Sequence, residues 1–438
     1  MITSTIGRLF LQAYNEEYGT NYDARTFFIE QFYPLFFGQN KQMMYVINSP
    51  FVQQLPSCRD CIIGKNNFES KEKRQERLGL FLAKVDQGEA DASIAIAYPS
   101  LNEIATTSGQ VSDIKIKITK EDVFYSWIGG ALGVSVSGGL MILFNNKMIL
   151  LDIYKGWKMY RQALEETIKL DGNKINSWNG QWLTHYYDVR EFNAKYPMSN
   201  FNPYKSDNAG IIGIETQTWT KVLIGIAKRY KEEKVMGYVC TINKVNTTIG
   251  FIPFDLTQIR RPIQFYQKYF GMDDGRMAES LWGTAFGFKA ACMNGAIGIK
   301  AMEPKGLREY IYAKGDKAPK LPKTPKNEEQ TISFNVYKIW ILAMLNNEEL
   351  WDKSQRLAEL LNEASVDKDK SHSTKRKNMV ENVLEAINKK QFVAAMTEVI
   401  AFVTSKEEMK GIVKDIHEMP NDNVPYFLTL LRFQYQSL

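Results

Sequence analysis

The stretch "YSWIGGALGVSVSGGLMILFNNKMILLDIY", residues 125–154, decides the fold, because it carries no charge from Trp127 to Asn146. A membrane-spanning helix needs about 20 predominantly apolar residues whose backbone hydrogen bonds close within one segment. The run has this length, but each glycine lowers helix stability by about 1 kcal/mol relative to alanine. Glycines recur at Gly129, Gly130, Gly133, Gly138 and Gly139. The composition therefore predicts a buried β element rather than a membrane span.

The second half of this stretch has the pattern of a β-hairpin. Two apolar runs, "LMILF" at 140–144 and "MILLDIY" at 148–154, flank the turn "NNK". Asn145 and Asn146 can adopt the positive φ that a tight hairpin turn requires. We therefore expect one strand on each side of these two asparagines.

The overall composition is that of a globular protein. The chain has 438 residues, of which 44% are hydrophobic and 24% charged, and this length suits two or three domains. The first residues lack the charged and apolar regions of a secretory signal. Four scattered cysteines suit a reducing compartment. We expect a cytoplasmic protein that has no membrane association.

A lysine- and proline-rich segment, "KGDKAPKLPKTPKNEEQ" at 314–330, marks the clearest boundary. Its lysines recur every third residue, which would align them along one stripe of a polyproline II helix. The segment is either a solvated spacer or a stripe that follows a phosphate backbone. We expect an α+β protein, with a large mixed domain at 1–313, this linker, and an all-α helical bundle at 331–438.

The region after the linker has the apolar spacing of amphipathic helices. Val336, Ile339 and Trp340 fall on one helical face. The same spacing continues at Leu350, Leu357, Leu360 and Leu361. Ser405 and Glu408 have the spacing of a capping box, which would start a further helix. Five or six such helices with short loops predict a bundle.

Catalytic and metal-binding signatures are weak. The chain has only three histidines, the usual general bases, and no two of them share a motif. Cys58 and Cys61 have the spacing of half a zinc site, which needs four ligands. Cys240 and Cys292 would complete it only if the fold brought them there. We expect free thiols, no metal, no cofactor and no catalytic activity.

A metal-dependent nuclease is the enzymatic alternative. Glu89, Asp91 and Asp113, followed by Lys115 and Lys117, lie near predicted strands and could imitate a carboxylate and lysine core. Their spacing is loose, however. Alternating charges on a half-exposed strand would give the same pattern, and we favour that interpretation.

Nucleic-acid binding has better support, because it needs positive charge beside aromatic rings rather than a rare motif. Basic and aromatic residues interleave in "YKGWKMYRQ" and "TQIRRPIQFYQKYFG", and lysines recur in the linker and in "DKDKSHSTKRKN". The candidate binding residues are Lys155, Lys158, Arg161, Arg260, Arg261, Lys268, Lys320, Lys323, Lys368, Lys370, Lys375, Arg376 and Lys377. Each segment alone could also be the solvated face of an amphipathic helix, so their recurrence carries the prediction.

This layout resembles that of the large subunit of type I CRISPR effector complexes, known as Cascade. In that family a large, divergent mixed domain precedes a compact C-terminal helical bundle. The resemblance covers the plan of the whole chain, through the final segment "VPYFLTLLRFQYQSL", and rests on architecture, length and basic aromatic character.

The resemblance implies a non-catalytic subunit of an RNA-guided antiviral defence complex. Such a subunit binds guide RNA and target DNA beside other protein subunits, reads a short motif in the duplex and helps to open the strands. The polar turn "NSWNGQ" would then bring Asn179 and Gln181 close to a groove. The nuclease and a scaffold that binds only proteins remain the alternatives.

Overall fold

The structure is a computed structural model that describes residues 1–44, 50–51, 55–88, 94–98, 118–241, 247–271, 287–312, 318–366 and 370–438. The chain is mixed α+β and about 60% helical, with a small antiparallel sheet and a C-terminal region of many helices, which confirms the predicted fold class. Among the described residues, none of the helices combines the length and the apolarity that a membrane crossing demands.

The described residues form the following α-helices and β-strands, each set numbered in chain order. The helices are α1 (Ile2–Tyr18), α2 (Ala24–Phe27), α3 (Tyr33–Phe36), α4 (Leu55–Ile62), α5 (Lys71–Gln87), α6 (Lys120–Ala131), α7 (Lys147–Glu166), α8 (Ile175–Tyr186), α9 (Trp219–Arg229), α10 (Leu256–Phe270), α11 (Phe288–Cys292), α12 (Arg308–Ile311), α13 (Glu328–Leu345), α14 (Glu349–Ser365), α15 (Lys370–Glu385), α16 (Lys389–Val399), α17 (Lys406–Glu418) and α18 (Val424–Tyr435). The strands are β1 (Val134–Val136), β2 (Leu140–Phe144), β3 (Tyr204–Ser206), β4 (Ile212–Ile214), β5 (Lys234–Cys240) and β6 (Thr248–Asp255).

Contacts divide the chain into two units. The first comprises Met1–Leu256 and Phe288–Ile297, and the second comprises Thr257–Gly287 and Gly298–Leu438. The boundaries predicted at 313 and 331 stay a prediction, although residues 298–312 cluster with the C-terminal helices. The lysines at 314 and 317 of the predicted linker lie outside the described residues.

Residues 125–154 contain the end of one helix, two strands and the first part of a second helix. The buried β element is present as β1 and β2, which form a hairpin around Gly138 and Gly139, with φ of 101° and 75°. The hairpin predicted around Asn145 and Asn146 is wrong. Asn146 instead caps α7, because its side-chain oxygen accepts hydrogen bonds from the backbone N–H groups of Met148 and Ile149.

The first part of the stretch is helical in spite of its glycines. Helix α6 crosses α1 so closely that a Cβ on Gly129 would lie 1.9 Å from the carbonyl oxygen of Thr3. A Cβ on Gly7 would lie 2.0 Å from the carbonyl oxygen of Tyr125. The expectation that glycine makes a helix a poor fit here fails, because packing of the two backbones overrides propensity.

The first unit contains the four-stranded antiparallel sheet, in the order β1-β2-β5-β6. One face of it is buried, through residues such as Ile142, Val239 and Phe254. A second core is aromatic and joins α1 to α7. There the ring of Phe10 lies 5.8 Å from that of Phe27 and 5.9 Å from that of Trp157.

The second unit is built around α13. Most of its side chains are buried, and the indole N–H of Trp340 donates a 2.9 Å hydrogen bond to the carbonyl oxygen of Ile299. The predicted helical region is confirmed. The capping box at Ser405 is wrong, since the Ser405 side chain makes no capping hydrogen bond and Glu408 pairs with Arg356 at 2.9 Å.

Helix α13 also buries a lysine. Lys338 is 5% exposed, and its Nζ lies 5.4 Å and 5.7 Å from the ring centres of Phe270 and Trp351. It lies 3.3 Å from the hydroxyl of Ser437. Burial lowers the pKa of Lys338 from 10.5 to about 8.

We predict that Gly129→Ala lowers the free energy of unfolding by about 3 kcal/mol, because the new methyl group forces α1 and α6 apart. Urea unfolding followed by circular dichroism measures the change. Gly79→Ala is the matched control, since Gly79 is exposed on α5 and a Cβ there meets nothing within 4 Å. It should be neutral or slightly stabilising. Equal effects of the two substitutions would contradict the close crossing.

We predict that Lys338→Met stabilises the second unit at pH 7, because burial disfavours the charged ammonium group. The folded-state pKa is lowered, so the wild-type chain gains stability as the pH rises from about 8 to 10.5. The advantage of the variant, about 1–3 kcal/mol at pH 7, should therefore shrink over that window. A variant that is less stable at pH 7 would mean that the ring contacts outweigh the cost of burial.

Candidate nucleic-acid interface

In the first unit, α7 carries three of the predicted binding residues. Lys155 lies 2.8 Å from a carboxylate oxygen of Asp152, a residue that is 2% exposed. That carboxylate also accepts hydrogen bonds from Tyr230 at 2.5 Å and Tyr187 at 3.1 Å. Burial works against the charge of Lys155, but the hydrogen bond from its ammonium group to Asp152 keeps its pKa raised. Lys155 therefore neutralises a buried acid.

The other two basic residues of α7 differ in exposure. Lys158 is exposed and lies 5.8 Å from the ring centre of Tyr154. Arg161 is 8% exposed and donates hydrogen bonds to the carbonyl oxygens of Leu35, at 2.6 and 2.9 Å, and Lys41, at 2.8 Å. Burial lowers its pKa to about 10, which leaves it charged at neutral pH. Arg161 holds the loop after α3 and is not placed to contact phosphate.

Asn179 and Gln181, which the resemblance suggested for groove contact, lie on α8. Asn179 is fully buried, and its amide donates 2.8 Å hydrogen bonds to the carbonyl oxygens of Ala131 and Gly133. It therefore holds the end of α6 and does not reach a surface. Gln181 is partly exposed and donates to the carbonyl oxygen of Glu215 at 2.9 Å.

In the second unit, the basic residues of α10 are engaged with neighbouring polar groups. Lys268 lies 2.6 Å from Glu348 and 5.2 Å from the ring centre of Tyr269. Arg261 donates to the side-chain oxygen of Asn346. Arg260 is half-buried. Because exposed ion pairs contribute little to stability, Lys268 could exchange its carboxylate for a phosphate at small cost.

Of the lysine- and proline-rich segment, residues 318–326, which precede α13, are docked on their own unit. Lys320 lies 2.9 Å from Glu309 and 5.1 Å from the ring centre of Tyr310. The hydroxyl of Thr324 is 3.1 Å from the side-chain oxygen of Gln436. Lys323 is exposed. These contacts favour neither a loose spacer nor a continuous lysine stripe.

Helix α15 carries two exposed lysines among the candidate binding residues. Lys375 and Lys377 are exposed, and among the described residues neither has an ion pair. Arg376, between them, lies 4.5 Å from the ring centre of Phe402 and donates to the carbonyl oxygen of Val366 at 3.1 Å. Lys368 lies outside the described residues, and so does the side chain of Lys370, the first residue of the helix.

The charges of α15 run against its helix dipole. The helix has no acidic residue in its first turn and no basic residue in its last turn, where Glu385 stands. A helix dipole favours the opposite arrangement, with anions at the N-terminus. A bound polyanion would relieve this unfavourable placement.

An exposed aromatic pair on the first unit was missed by the sequence analysis. Phe251 is 61% exposed, and its ring centre lies 5.2 Å from that of Tyr238 on the neighbouring strand. Met236, also exposed, lies two residues before Tyr238 on the same face of β5. The sequence signal for this pair was the presence of apolar residues at both odd and even positions of β5 and β6. Such a pattern places apolar side chains on both faces of the sheet. Exposed rings of this kind can stack on nucleic-acid bases.

The described residues give no support to a zinc site or to a metal-dependent nuclease. Glu89, Asp91 and Asp113 lie outside them, as does the side chain of Cys58. Cys61, Cys240 and Cys292 are free thiols, and burial raises the pKa of each. In the part of the chain that the structure describes, no group of three or more metal-ligating side chains comes together.

Comparison with known proteins identifies no relative. The chain matches no protein-family model, no curated protein and no solved structure. The resemblance in layout to the large subunit of type I CRISPR effector complexes therefore stays a hypothesis.

We predict that Asn179→Ala lowers the free energy of unfolding by about 2 kcal/mol, because two buried carbonyl groups lose their donor. Gln181→Ala, at a partly exposed position, is the control and should cost less. Thermal unfolding and nucleic-acid binding are measured on the same preparations. If Asn179→Ala keeps full stability and loses nucleic-acid affinity, Asn179 is a contact residue after all.

Proposed function

We propose that the protein binds nucleic acid without catalysing a reaction, as a subunit of an RNA-guided antiviral defence complex that recognises target duplex DNA and helps to open it. The observation that carries the proposal is the exposed, basic N-terminal half of α15. From His372 to Met379 each described side chain is exposed or half-exposed, and Val380 is the first that is buried.

This arrangement suits contact with a phosphate backbone better than a role in packing. A helix that served only the core would alternate buried and exposed positions along its whole length. Here the C-terminal half of α15 does so, with Val383 and Leu384 buried, whereas the N-terminal half presents cations. Lysines that neutralise phosphates release counterions, which makes binding strong at low salt and weak at high salt.

The finer part of the proposal rests on layout. A mixed α+β region followed by a region of many helices agrees with the plan of the effector large subunit. In such complexes, sequence is read chiefly by pairing with guide RNA, so the protein needs backbone contacts more than a base-reading motif.

We predict that the double variant Lys375→Glu/Lys377→Glu binds a fluorescein-labelled duplex DNA at least about tenfold more weakly than wild type at low salt. The slope of log affinity against log salt should fall in magnitude by about two, one for each lysine. Fluorescence anisotropy on the full chain, with circular dichroism to verify folding, measures both. Single-stranded DNA and RNA of the same length are tested in parallel.

The matched control is Lys390→Glu/Lys406→Glu, which changes the net charge equally at two other exposed lysines of the second unit. It should retain affinity. Equal losses in the two variants would mean a diffuse charge effect and no interface on α15. Absence of binding to every polynucleotide at low salt would refute the proposal.

The assignment to an RNA-guided complex needs its own test. A tagged full-length chain purified from its native host should carry one class of short, repeat-derived RNA together with stoichiometric protein partners. A chain that binds DNA in vitro but purifies without RNA would support nucleic-acid binding and refute the effector role.

A further inference from the structure

Helices α16 and α17 leave an open apolar groove between them. It has a volume of about 430 Å³ and is lined by Val393, Met396, Thr397, Ile400, Lys410, Val413, Lys414 and His417. The ammonium group of Lys389, at the start of α16, donates to the carbonyl oxygen of Met419, just past α17. The two helices are therefore antiparallel, and the groove runs along their length.

The groove exposes apolar side chains beside the buried core of the two helices. Buried residues of the two helices include Phe392, Met396, Met409 and Ile412, of which Met396 also lines the groove. Val393, Ile400 and Val413 line the groove and are half-exposed. Apolar side chains gathered in a groove and rimmed by polar groups are typical of sites that bind a partner.

The charged residues that line the groove are lysines. Lys410, Lys414 and His417 line it, and no carboxylate is among the lining residues. The acids of α17 lie to the sides: Glu407 pairs with Lys410 at 2.6 Å and Glu418 lies 3.8 Å from Lys414. Both of these acids are largely exposed, so their pairs are weak and can be exchanged for those of a ligand.

The remaining acids of α17 face away from the groove. Asp415 lies 2.8 Å from Lys353, and Glu408 lies 2.9 Å from Arg356, both on α14. Helix α17 thus uses one acidic edge to pack against α14 and presents a basic stripe to the groove. This segregation leaves the groove complementary to negative charge.

We propose that this groove binds an acidic amphipathic helix of a partner protein. Two antiparallel helices with an open seam accept a third helix, whose apolar residues at positions i, i+3, i+4 and i+7 fill the floor. Val393, Ile400 and Val413 would contact that apolar stripe, and carboxylates on the flank of the helix would pair with Lys410 and Lys414. The inference does not depend on nucleic-acid binding, because it concerns α16 and α17 rather than α15.

A designed peptide tests the groove. The probe is a fluorescein-labelled helix of about 18 residues, or five turns, with leucine at the apolar positions and glutamate on the flanks. A second peptide has the same leucines with lysine in place of glutamate. In anisotropy titrations with the full chain, the glutamate peptide should bind with micromolar affinity and the lysine peptide at least about tenfold more weakly.

Two variants locate the binding. Lys410→Glu/Lys414→Glu should reverse the preference between the peptides, and Val413→Glu, at a half-exposed position, should weaken both. Lys375→Glu/Lys377→Glu is the matched charge control and should leave peptide binding unchanged. Because that control is also the variant expected to lose nucleic acid, failure of one proposal is distinguishable from failure of the other.

Several outcomes would overturn the inference. Equal binding of the two peptides, or no binding up to about 200 µM, would rule out an acidic helix as the ligand of the groove. Sedimentation velocity that shows self-association lost in Val413→Glu, without peptide binding, would assign the groove to a second copy of the chain. Binding to phosphatidylserine vesicles that is lost in Lys410→Glu/Lys414→Glu, again without peptide binding, would assign it to a lipid surface.

Discussion

The first unit depends on the contact between two helix backbones at Gly7 and Gly129. Neither position has room for a methyl group, so α1 and α6 touch without intervening side chains. Polar groups of the two helices then bind the segment 94–98. The hydroxyl of Thr3 donates to the carbonyl oxygen of Ile96 at 2.8 Å, and the hydroxyl of Ser126 accepts from the backbone N–H of Ile96 at 2.9 Å. Packing requires glycine at these positions. Helix propensity alone counts each glycine against a helix and therefore gives the wrong prediction for α6.

Buried guanidinium groups explain why basic residues in aromatic-rich helices are ambiguous in sequence. Arg161 in the first unit and Arg432 in the second both donate to backbone carbonyl groups at the ends of other elements. Arg432, 3% exposed, donates to Leu384, Ala386 and Tyr310 at 2.6, 2.8 and 3.2 Å. Arginine suits this role because its planar fork of donors satisfies several acceptors at once. The same planar fork also suits phosphate. Composition alone therefore does not distinguish an arginine that binds backbone carbonyl groups from one that binds phosphate.

The fold class and the helices of the second unit follow from periodicity, because Val336, Ile339 and Trp340 recur with the spacing of a helical face and are all buried. Single turn and cap residues predicted less of the structure. Asn146 fits a hairpin turn and a helix cap equally well, and only the strands that pair in space select the cap. The candidate binding residues show the same limit. Lys375 is exposed, as the sequence predicts, whereas Lys155 pairs with the buried Asp152. The burial of Asp152 depends on α8 and α9, so the sequence around Lys155 does not predict it.

The second unit presents two different chemistries on consecutive helices that pack against each other, α15 and α16. Attraction between the lysines of α15 and a polyanion acts over about a Debye length and weakens as salt is added. Burial of apolar surface in the groove between α16 and α17 requires direct contact and depends little on salt. In the two proposals the ligands would occupy different surfaces, since neither Lys375 nor Lys377 lines the groove. The two proposals together require this separation, because each ligand would have to bind without displacing the other.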